Sequence, residues 1–320
     1  MLQGNQTTVK EFIILCFQGL QPQYYDLVAT FFFFVYVTTV AGNSLLVGLF
    51  AIERSLHKPM YIIMLSLALS DIGFCTVALP RVIAKYWFNA GALSFLGCLL
   101  QKHLIHYFGT LNSLIMMTMS LDRYLAICFP LRYPMLMTNR TMGVLNVFAW
   151  ASSMIAPGIT TIQSSELPFC GPNKIAHCYC DTSSLNQQAC ADITMQSFVS
   201  FSLAMFVLLL PFSFIIFSYV NIIASVLRIA DTQGRNKTFS TCGTQVCIIS
   251  IYYIPRFSVY VAPFLPNVQI TGDLRTSLVM FYSLFPPLVN PLIYCFRTKE
   301  IKEILRKWIS RKQKYLSVPC

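Results

Sequence analysis

Charged residues are scarce in this chain of 320 residues: Asp, Glu, Lys and Arg together make up 11% of it, and the acidic ones number only 12. Soluble domains carry about 25% charged residues, so this composition excludes a soluble fold. Apolar residues account for 56%, including 26 Phe, which is more than a soluble core could cover. Disordered and fibrous classes are excluded on the same grounds. The composition therefore indicates a membrane protein.

The sequence also lacks the short motifs of hydrolytic enzymes. It contains no HExxH and no GxSxG, and its four His residues are scattered. These motifs supply the metal ligands or the activated nucleophile of common hydrolases, so we do not expect an enzyme. Cys178-Tyr179-Cys180 lies beside His177, but the spacing is short for a metal site and no second ligand pair is near. We expect no metal there.

Seven apolar segments recur along the chain, each long enough to cross about 30 Å of hydrocarbon as a helix of about 20 residues. Continuous apolar runs favour helices over a membrane β-barrel, whose strands alternate in segments of about 10 residues. We therefore predict an all-α membrane protein, a bundle of seven transmembrane helices in one domain over 27–296. Pro157, Pro211, Pro255, Pro287 and Pro291 are expected to kink these helices. The predicted spans are 27–51, 61–80, 98–121, 141–165, 193–227, 238–255 and 276–296.

The basic residues predict the orientation. Most of them follow spans one, three, five and seven, and an excess of Lys and Arg belongs on the cytoplasmic side. We predict a multi-pass plasma-membrane protein with an extracellular tail over 1–26 and a cytoplasmic segment over 297–320. Asn5-Gln6-Thr7 is then a glycosylation acceptor on the outer side, modified at Asn5.

The cytoplasmic segment contains an amphipathic pattern. Apolar residues recur at helical spacing and are surrounded by basic ones, which predicts a short helix lying on the anionic inner leaflet. This helix accounts for much of the formal net charge of +11, so lipid is the expected partner and nucleic acid is not. The apolar positions are Ile301, Ile304, Leu305, Trp308 and Ile309.

Five of the 12 cysteines are placed on the outer side: Cys98 at the start of span three, and Cys170, Cys178, Cys180 and Cys190 in the long loop before span five. That side is oxidising, so we expect disulfides. One bridge from Cys98 would pin the loop over the bundle, and another would stiffen the loop. Spacing leaves the pairing open and one cysteine without a partner.

Span three has a polar face. Lys102, His106, Thr110 and Ser113 follow one another at steps of four, four and three, which places them on one side of a helix. We expect this face to line a cavity rather than contact lipid. His106 could hydrogen-bond a ligand or only a neighbouring helix.

Span six has a buried cation. Arg256 lies between Tyr252 and Tyr260, one turn away on each side, with Tyr253 beside them. A guanidinium within the membrane needs a partner or water. Three interpretations remain open: Arg256 binds an acidic or polar ligand, it pairs with a loop acid such as Glu166 or Asp181, or it stacks between the tyrosines.

Motifs at the inner ends of the spans resemble those of rhodopsin-like G-protein-coupled receptors, in the form typical of olfactory receptors. His106 and the loop cysteines are similar to the fish-like group. The resemblance covers nearly the whole chain. Its motifs are Gly42-Asn43, Leu56-His57-Lys58-Pro59-Met60-Tyr61, Asp71, Met119 to Cys128 around Asp122-Arg123-Tyr124, Trp150, Ser218-Tyr219, Lys237 to Cys242, and Pro286-Pro287-Leu288-Val289-Asn290-Pro291-Leu292-Ile293-Tyr294.

The resemblance implies an odorant receptor that binds a small molecule in the outer half of the bundle and activates a heterotrimeric G protein, of the stimulatory olfactory type that raises cyclic AMP. It implies that Asp122 holds Arg123 at rest, that span six swings outward on activation, and that Tyr219 and Tyr294 meet through water in the active state. The implied coupling residues are Asp122, Arg123, Tyr124, Tyr219, Asn290, Pro291 and Tyr294.

The resemblance also implies the remaining sites. Asp71 with Asn43, Asn112 and Asn290 would form a polar cluster that can hold sodium or water, or else a protonated Asp71 bonded to the amides. The implied disulfides are Cys98–Cys180 and Cys170–Cys190. The implied odorant-binding residues are Ile105, His106, Gly109, Thr110, Leu203, Val207, Tyr253, Arg256, Tyr260 and Ser283.

A transporter or channel is the alternative class. It is disfavoured because the sequence shows neither two related halves nor a pore-lining ring of charge. Within receptors, an opsin would need a Lys in 276–296, and an amine receptor would need an acid near Ile105 and His106. The sequence has neither.

Overall fold

The computed structural model describes residues 9–170, 172–228, 232–261 and 271–316. These residues form long helices joined by short connections, with a small sheet at the outer end. The helices are α1 (Tyr25–Ile52), α2 (Pro59–Phe88), α3 (Phe95–Cys128), α4 (Tyr133–Leu136), α5 (Asn139–Ser152), α6 (Ile155–Ser165), α7 (Thr182–Asn186), α8 (Thr194–Leu227), α9 (Thr232–Val261), α10 (Gly272–Arg297) and α11 (Lys299–Leu316).

The helix ends follow from local sequence. The hydroxyl of Ser94 accepts a hydrogen bond from the Gly97 amide at the start of α3, and Thr271 does the same for Leu274 at the start of α10. Such caps satisfy amide groups that have no partner within the helix. Helix α2 begins at Pro59 and ends at Phe88, and the next residue, Asn89, caps it in the left-handed conformation with a φ of 52°.

One predicted span boundary was wrong. Helix α2 continues through Pro80 to Phe88, because a proline inside a packed bundle bends a helix without ending it. The fourth predicted span, 141–165, lies within the apolar stretch Asn139–Ser165, in which a turn at Ser153 and Met154 separates α5 from α6. Among the described residues, five helical segments are long and apolar enough to cross a membrane by themselves, and α9 contributes a shorter apolar stretch, Gln245–Val261.

Helix α3 lies at the centre of the bundle and packs against α2, α5, α6 and α8. Its polar side chains are covered by these neighbours. The other main contacts are between α1 and α2 and between α9 and α10. This arrangement confirms the predicted helical membrane bundle.

The outer end carries a three-stranded sheet that the sequence did not predict. Strand β1 (Glu11–Ile14) is central; it pairs antiparallel with β2 (Ala92–Ser94) and parallel with β3 (Lys174–Ile175). The segment before the first span is therefore paired with two outer loops. Asn5 and its glycosylation motif lie outside the described residues.

The amphipathic helix is present as α11. Ile301 and Ile304 are buried against the inner ends of α1 and α2, with Leu305 and Trp308 packed around them. The indole of Trp308 donates to Glu53 Oε1 at 3.2 Å. Lys302, Arg306 and Lys307 are exposed on the opposite face, where anionic headgroups would be met. The side chain of Ile309 lies outside the described residues.

Candidate functional site

Arg256 lies between α9, α3 and α10 in the outer half of the bundle. Its Nη1 donates to the hydroxyl of Tyr252, and its guanidinium is 5.2 Å from the Tyr252 ring centre and 6.0 Å from that of Tyr282. A Cβ atom at Gly109 would lie 3.3 Å from Nη2. Gly109 therefore lets the guanidinium approach the backbone of α3.

The three interpretations of Arg256 can now be compared. It forms no ion pair with Glu166, Asp181 or any other carboxylate in the described ranges. It contacts the rings of Tyr252 and Tyr282 instead, and a desolvated cation–π contact is worth about 2 kcal/mol or more. A guanidinium in the membrane costs from about 2.5 to over 10 kcal/mol, so the ring contacts offset the low end of this range but not the high end.

The hydroxyl of Tyr252 links this group to α3. It donates to the Gly109 carbonyl at 2.7 Å and lies 3.3 Å from Ser113 Oγ. Because it also accepts from Arg256, it holds one side of the guanidinium in place. Tyr252 was predicted only as a neighbour of Arg256, and it is the residue that fixes its position.

The polar face of α3 is covered by protein, as expected, but its members point in different directions. Lys102 was predicted to face a cavity, and this was wrong: it is fully buried and donates to the Thr160 carbonyl at 2.7 Å and to Ser164 Oγ at 2.5 Å, both on α6. Two neutral acceptors hold the ammonium there. His106 Nε2 lies 3.1 Å from the hydroxyl of Thr182 in α7, so it contacts the outer loop.

Tyr179 forms the roof over Arg256. This loop residue is buried among Ile105, Val259 and Tyr282, and its side chain reaches Ser283. The sequence analysis missed this role. A usable signal was its position between Cys178 and Cys180, because disulfides on both sides would hold the residue in place.

Three disulfides fasten that roof. Cys98–Cys180 and Cys170–Cys190 are present, and a third bond joins Cys16 to Cys178. The predicted set of five outer cysteines with one left over was therefore wrong. Cys16 belongs to the segment predicted as an extracellular tail, and it lies two residues after β1, bonded to the loop.

The remaining predicted ligand residues surround this group. Thr110 and Ile105 are buried on α3, and Tyr253 stacks on Phe212 at 4.8 Å between ring centres. Leu203 and Val207 are half-buried on α8, which packs against α3. Tyr260 lies close enough to Arg256 to interact electrostatically. A separate cavity of about 520 Å³ lies elsewhere, between α2 and α5 beside Ser66 and Trp150.

The outer loop contains a coupled acid and base. Burial alone would raise the pKa of Asp181, but the nearby His177 and hydrogen bonds from Ser183 and Ser184 hold that pKa below its usual value. Burial lowers the pKa of His177, and Arg275 lowers it further, against the opposing effect of Asp181. Asp181 is thus ionised and His177 neutral at pH 7.

The middle of the bundle holds the polar cluster implied for Asp71. Asn290 Nδ2 donates to Asp71 Oδ2 at 2.9 Å, and Asn112 Nδ2 lies 3.5 Å from Oδ1. Asn43 donates to the carbonyls of Thr39 and Pro287. The other amide atoms of the two residues that contact Asp71, Asn112 Oδ1 and Asn290 Oδ1, are buried and have no hydrogen-bond partner among the described residues, and the same holds for Asn43 Oδ1.

At the inner end, Asp122 and Arg123 interact electrostatically but form no ion pair within the described ranges. Asp122 Oδ1 accepts a hydrogen bond of 2.8 Å from the hydroxyl of Tyr133, and Arg123 Nη2 donates to Met60 Sδ at 2.9 Å. Neighbouring helical residues point in different directions, so adjacency in sequence did not bring the two groups together. A thioether is a weak acceptor, so Arg123 is held weakly.

The other predicted coupling residues gather near Arg123. Tyr219 and Tyr294 both interact electrostatically with it and with one another. The Tyr219 hydroxyl has no partner in the described part of the chain, and that of Tyr294 lies 3.9 Å from Met119 Sδ. Tyr124 packs on the rings of Phe129 and Phe217. Pro291 lies against Gly42, where a Cβ atom would be 3.2 Å away.

Comparison with known proteins assigns these features to a family. The family described as "Olfactory receptor" matches residues 32–312. "Olfactory receptor 2A12" of Homo sapiens is 35% identical over 96% of this chain and 97% of its own length. "Olfactory receptor 1E16" of Mus musculus is 32% identical over 99% of this chain and 100% of its own length. The crystal structure of squid rhodopsin shares the fold, with a TM-score of 0.63, 19% identity and coverage of 91% of this chain and 82% of that one.

Proposed function

The chain belongs to the olfactory receptor family, and from this premise we propose that it is an odorant receptor that activates a stimulatory G protein and raises cyclic AMP. Proteins of this family are signalling receptors and not enzymes. The small molecule binds in the outer half of the bundle, under Tyr179 and beside Arg256. The G protein binds at the inner end, beside Arg123. Membership of the fish-like group stays a prediction.

The observation that carries this proposal is the environment of Arg123. The guanidinium lies at the inner mouth of the bundle without an ion pair to any described carboxylate and with the sulfur of Met60 as its hydrogen-bond partner. A cation held so weakly can change partners at low cost when the surrounding helices move. The nearby hydroxyls of Tyr219 and Tyr294 offer new contacts after such a movement.

Ligand and G protein act on one equilibrium. If both favour the same arrangement of the helices, each strengthens the binding of the other by the same factor. The Asp71 cluster joins α2, α3 and α10 by hydrogen bonds, and it lies between the two sites. Rearrangement of these hydrogen bonds couples the ligand site to the G-protein site.

The Asp71 cluster also fits a sodium ion. The Asp71 carboxylate and the amide oxygens of Asn112 and Asn290, which have no partner among the described residues, form the type of donor set that hard cations prefer. We propose that Asp71, Asn112 and Asn290 bind sodium in the resting receptor. The ion would supply positive charge that offsets the buried carboxylate.

The orientation proposed is an extracellular amino terminus. The three disulfides lie at the end of the bundle that includes β1, and disulfides persist on the oxidising side. The exposed basic residues of α11 lie at the other end, where anionic lipids of the cytoplasmic leaflet would be met.

The test is replacement of Arg123 with Ala in cells that report cyclic AMP. We expect the variant to lose the ligand-driven response while surface staining still detects it. Arg306→Ala, which removes an exposed cation from α11, serves as the matched control and should still respond. An unchanged response in Arg123→Ala would contradict the mechanism, and a response through another second messenger would contradict stimulatory coupling.

A further inference from the structure

The carboxylate of Asp181 lies near the outer half of the bundle, where it interacts electrostatically with Lys102 and His106. This carboxylate is already occupied: Oδ1 accepts from the Ser184 amide at 3.1 Å and Oδ2 from the Ser183 hydroxyl at 2.8 Å. It therefore has little capacity to neutralise a second cation.

Arg256 has hydrogen-bond donors that are not used within the described residues. Lys102 is satisfied by two oxygens of α6, whereas Arg256 donates to the described residues only from Nη1. Its Nε is buried and has no partner among the described residues. Nε and Nη2 share one edge of a guanidinium, and this is an edge on which a carboxylate binds through two parallel hydrogen bonds.

The surroundings of that edge add donors. Gly109 has no side chain that would come between Nη2 and α3. Tyr260 and Tyr282 lie near the guanidinium, and neither hydroxyl is hydrogen-bonded to a residue that the structure describes. A guanidinium edge with two tyrosine hydroxyls matches the donor set of an anion site.

We propose that the ligand of this receptor is a small organic carboxylate, and that its head group binds the Nε and Nη2 edge of Arg256. This inference rests on the proposed odorant-receptor function and names the chemical class of its ligand. The carboxylate supplies the counter-charge that no described carboxylate of the protein supplies to Arg256, and the rest of the molecule lies against apolar residues such as Ile105 and Val207. Tyr179 closes the site from above.

The experiment compares straight-chain alkanoic acids with their alcohols and methyl esters on cells expressing the receptor with a cyclic AMP reporter. We expect at least one acid to act at a concentration at least tenfold below that of its neutral analogues. Arg256→Gln should raise the effective concentration of that acid by at least about 30-fold, which is the low end for removing one partner of a buried charge pair. Arg256→Lys keeps the charge but loses the edge that forms two parallel hydrogen bonds. Its effective concentration for the acid should lie between those of the wild type and Arg256→Gln.

Arg275→Gln is the matched control. It removes an equal charge at the outer end of α10, where the guanidinium contacts Ser183 at 3.4 Å, and it should leave the response to the acid unchanged. Neutral analogues that act as well as the acid, or an Arg256→Gln receptor with the same acid response, would overturn the proposal. A panel in which no compound of any class activates the receptor would instead overturn the proposed function.

A second measurement needs no variant and so does not depend on the folding of Arg256→Gln. The unfolding temperature of the purified wild-type receptor is recorded with sodium octanoate and with octanol at equal concentration. Stabilisation by octanoate beyond that by octanol is expected, because a ligand that binds the folded state raises its stability. Equal shifts for both compounds would overturn the proposal.

Discussion

The disulfide between Cys16 and Cys178 should determine how firmly the outer sheet is held. We consider the double variant Cys16→Ser/Cys178→Ser, which removes the bond and leaves no unpaired thiol. Four backbone hydrogen bonds still join the first strand to its neighbours, from the amides of Ile13, Ile14, Leu15 and Cys16. The variant should therefore fold with the sheet in place, but the sheet should open more readily.

The magnitude follows from the loop that the bond closes. Cys16 and Cys178 are 162 residues apart in sequence, but the Cys98–Cys180 bond shortens the covalent path between them to about 84 residues. Closing a loop of that length in a free chain stabilises the folded state by about 4.5 kcal/mol in the chain-entropy account. Helices that persist in the unfolded membrane protein reduce this value, so it is an upper limit.

Hydrogen–deuterium exchange of the segment around Phe12 is the direct assay. We expect amides of the first strand to exchange faster in the double variant by up to about a thousandfold, since each 1.4 kcal/mol of opening free energy is about tenfold. Cys247→Ser, which changes an exposed free cysteine on α9, is the control and should exchange as the wild type does. Equal protection in the double variant and the wild type would refute the claim that this bond fastens the roof of the ligand site.

Two further predictions concern the resting state and pH. Met60→Leu removes the sulfur that accepts from Arg123, and it should raise basal cyclic AMP by up to about tenfold, the worth of one ordinary hydrogen bond; an unchanged or lower basal level would contradict a resting role for Met60. Burial lowers the pKa of His177 in the folded protein. Below the unfolded pKa of about 6.5, the unfolded chain therefore binds more protons than the folded one. The free energy of unfolding then decreases as the pH decreases, by at most about 1.4 kcal/mol per pH unit. The unfolding temperature of the wild type should therefore drop more between pH 7.5 and pH 5.5 than that of His177→Gln, and equal drops would contradict this assignment. Asp181, whose pKa is lowered, stays ionised throughout that window.

The helical bundle was predictable because its signal is local. Each apolar run had to satisfy its own backbone in lipid, so helices at about the predicted positions followed. The end of α2 was misplaced because the apolar run ends at Pro80, before Arg81 and Lys85, whereas the helix continues to Phe88. The amphipathic pattern around Ile301 and Ile304 identified α11 for the same local reason.

The outer sheet was not predictable from such signals. Its strands have four, three and two residues, too few for an alternation pattern to stand out. They pair residues that are far apart in sequence, such as Ile13 with Lys174. Cys16 was overlooked for this reason, since only the pairing brings it to Cys178.

The sequence predicted which residues lie at the candidate site better than it predicted their contacts. The spacing of Tyr252, Arg256 and Tyr260 indicated a polar group within span six, and the structure places it against α3. The direction of Lys102 was wrong because its partners, the Thr160 carbonyl and Ser164, lie on another helix and leave no trace in local sequence. Tyr282 was missed because its approach to Arg256 depends on the packing of α9 against α10.

The most direct test of the account is nucleotide release from the G protein. The purified receptor in lipid nanodiscs is mixed with a stimulatory heterotrimer loaded with labelled GDP, and release is followed with and without an activating ligand. The account predicts that the receptor accelerates GDP release, that the ligand increases this effect, and that Arg123→Ala abolishes both. A receptor that passes current or solute across a bilayer and never accelerates GDP release would contradict it.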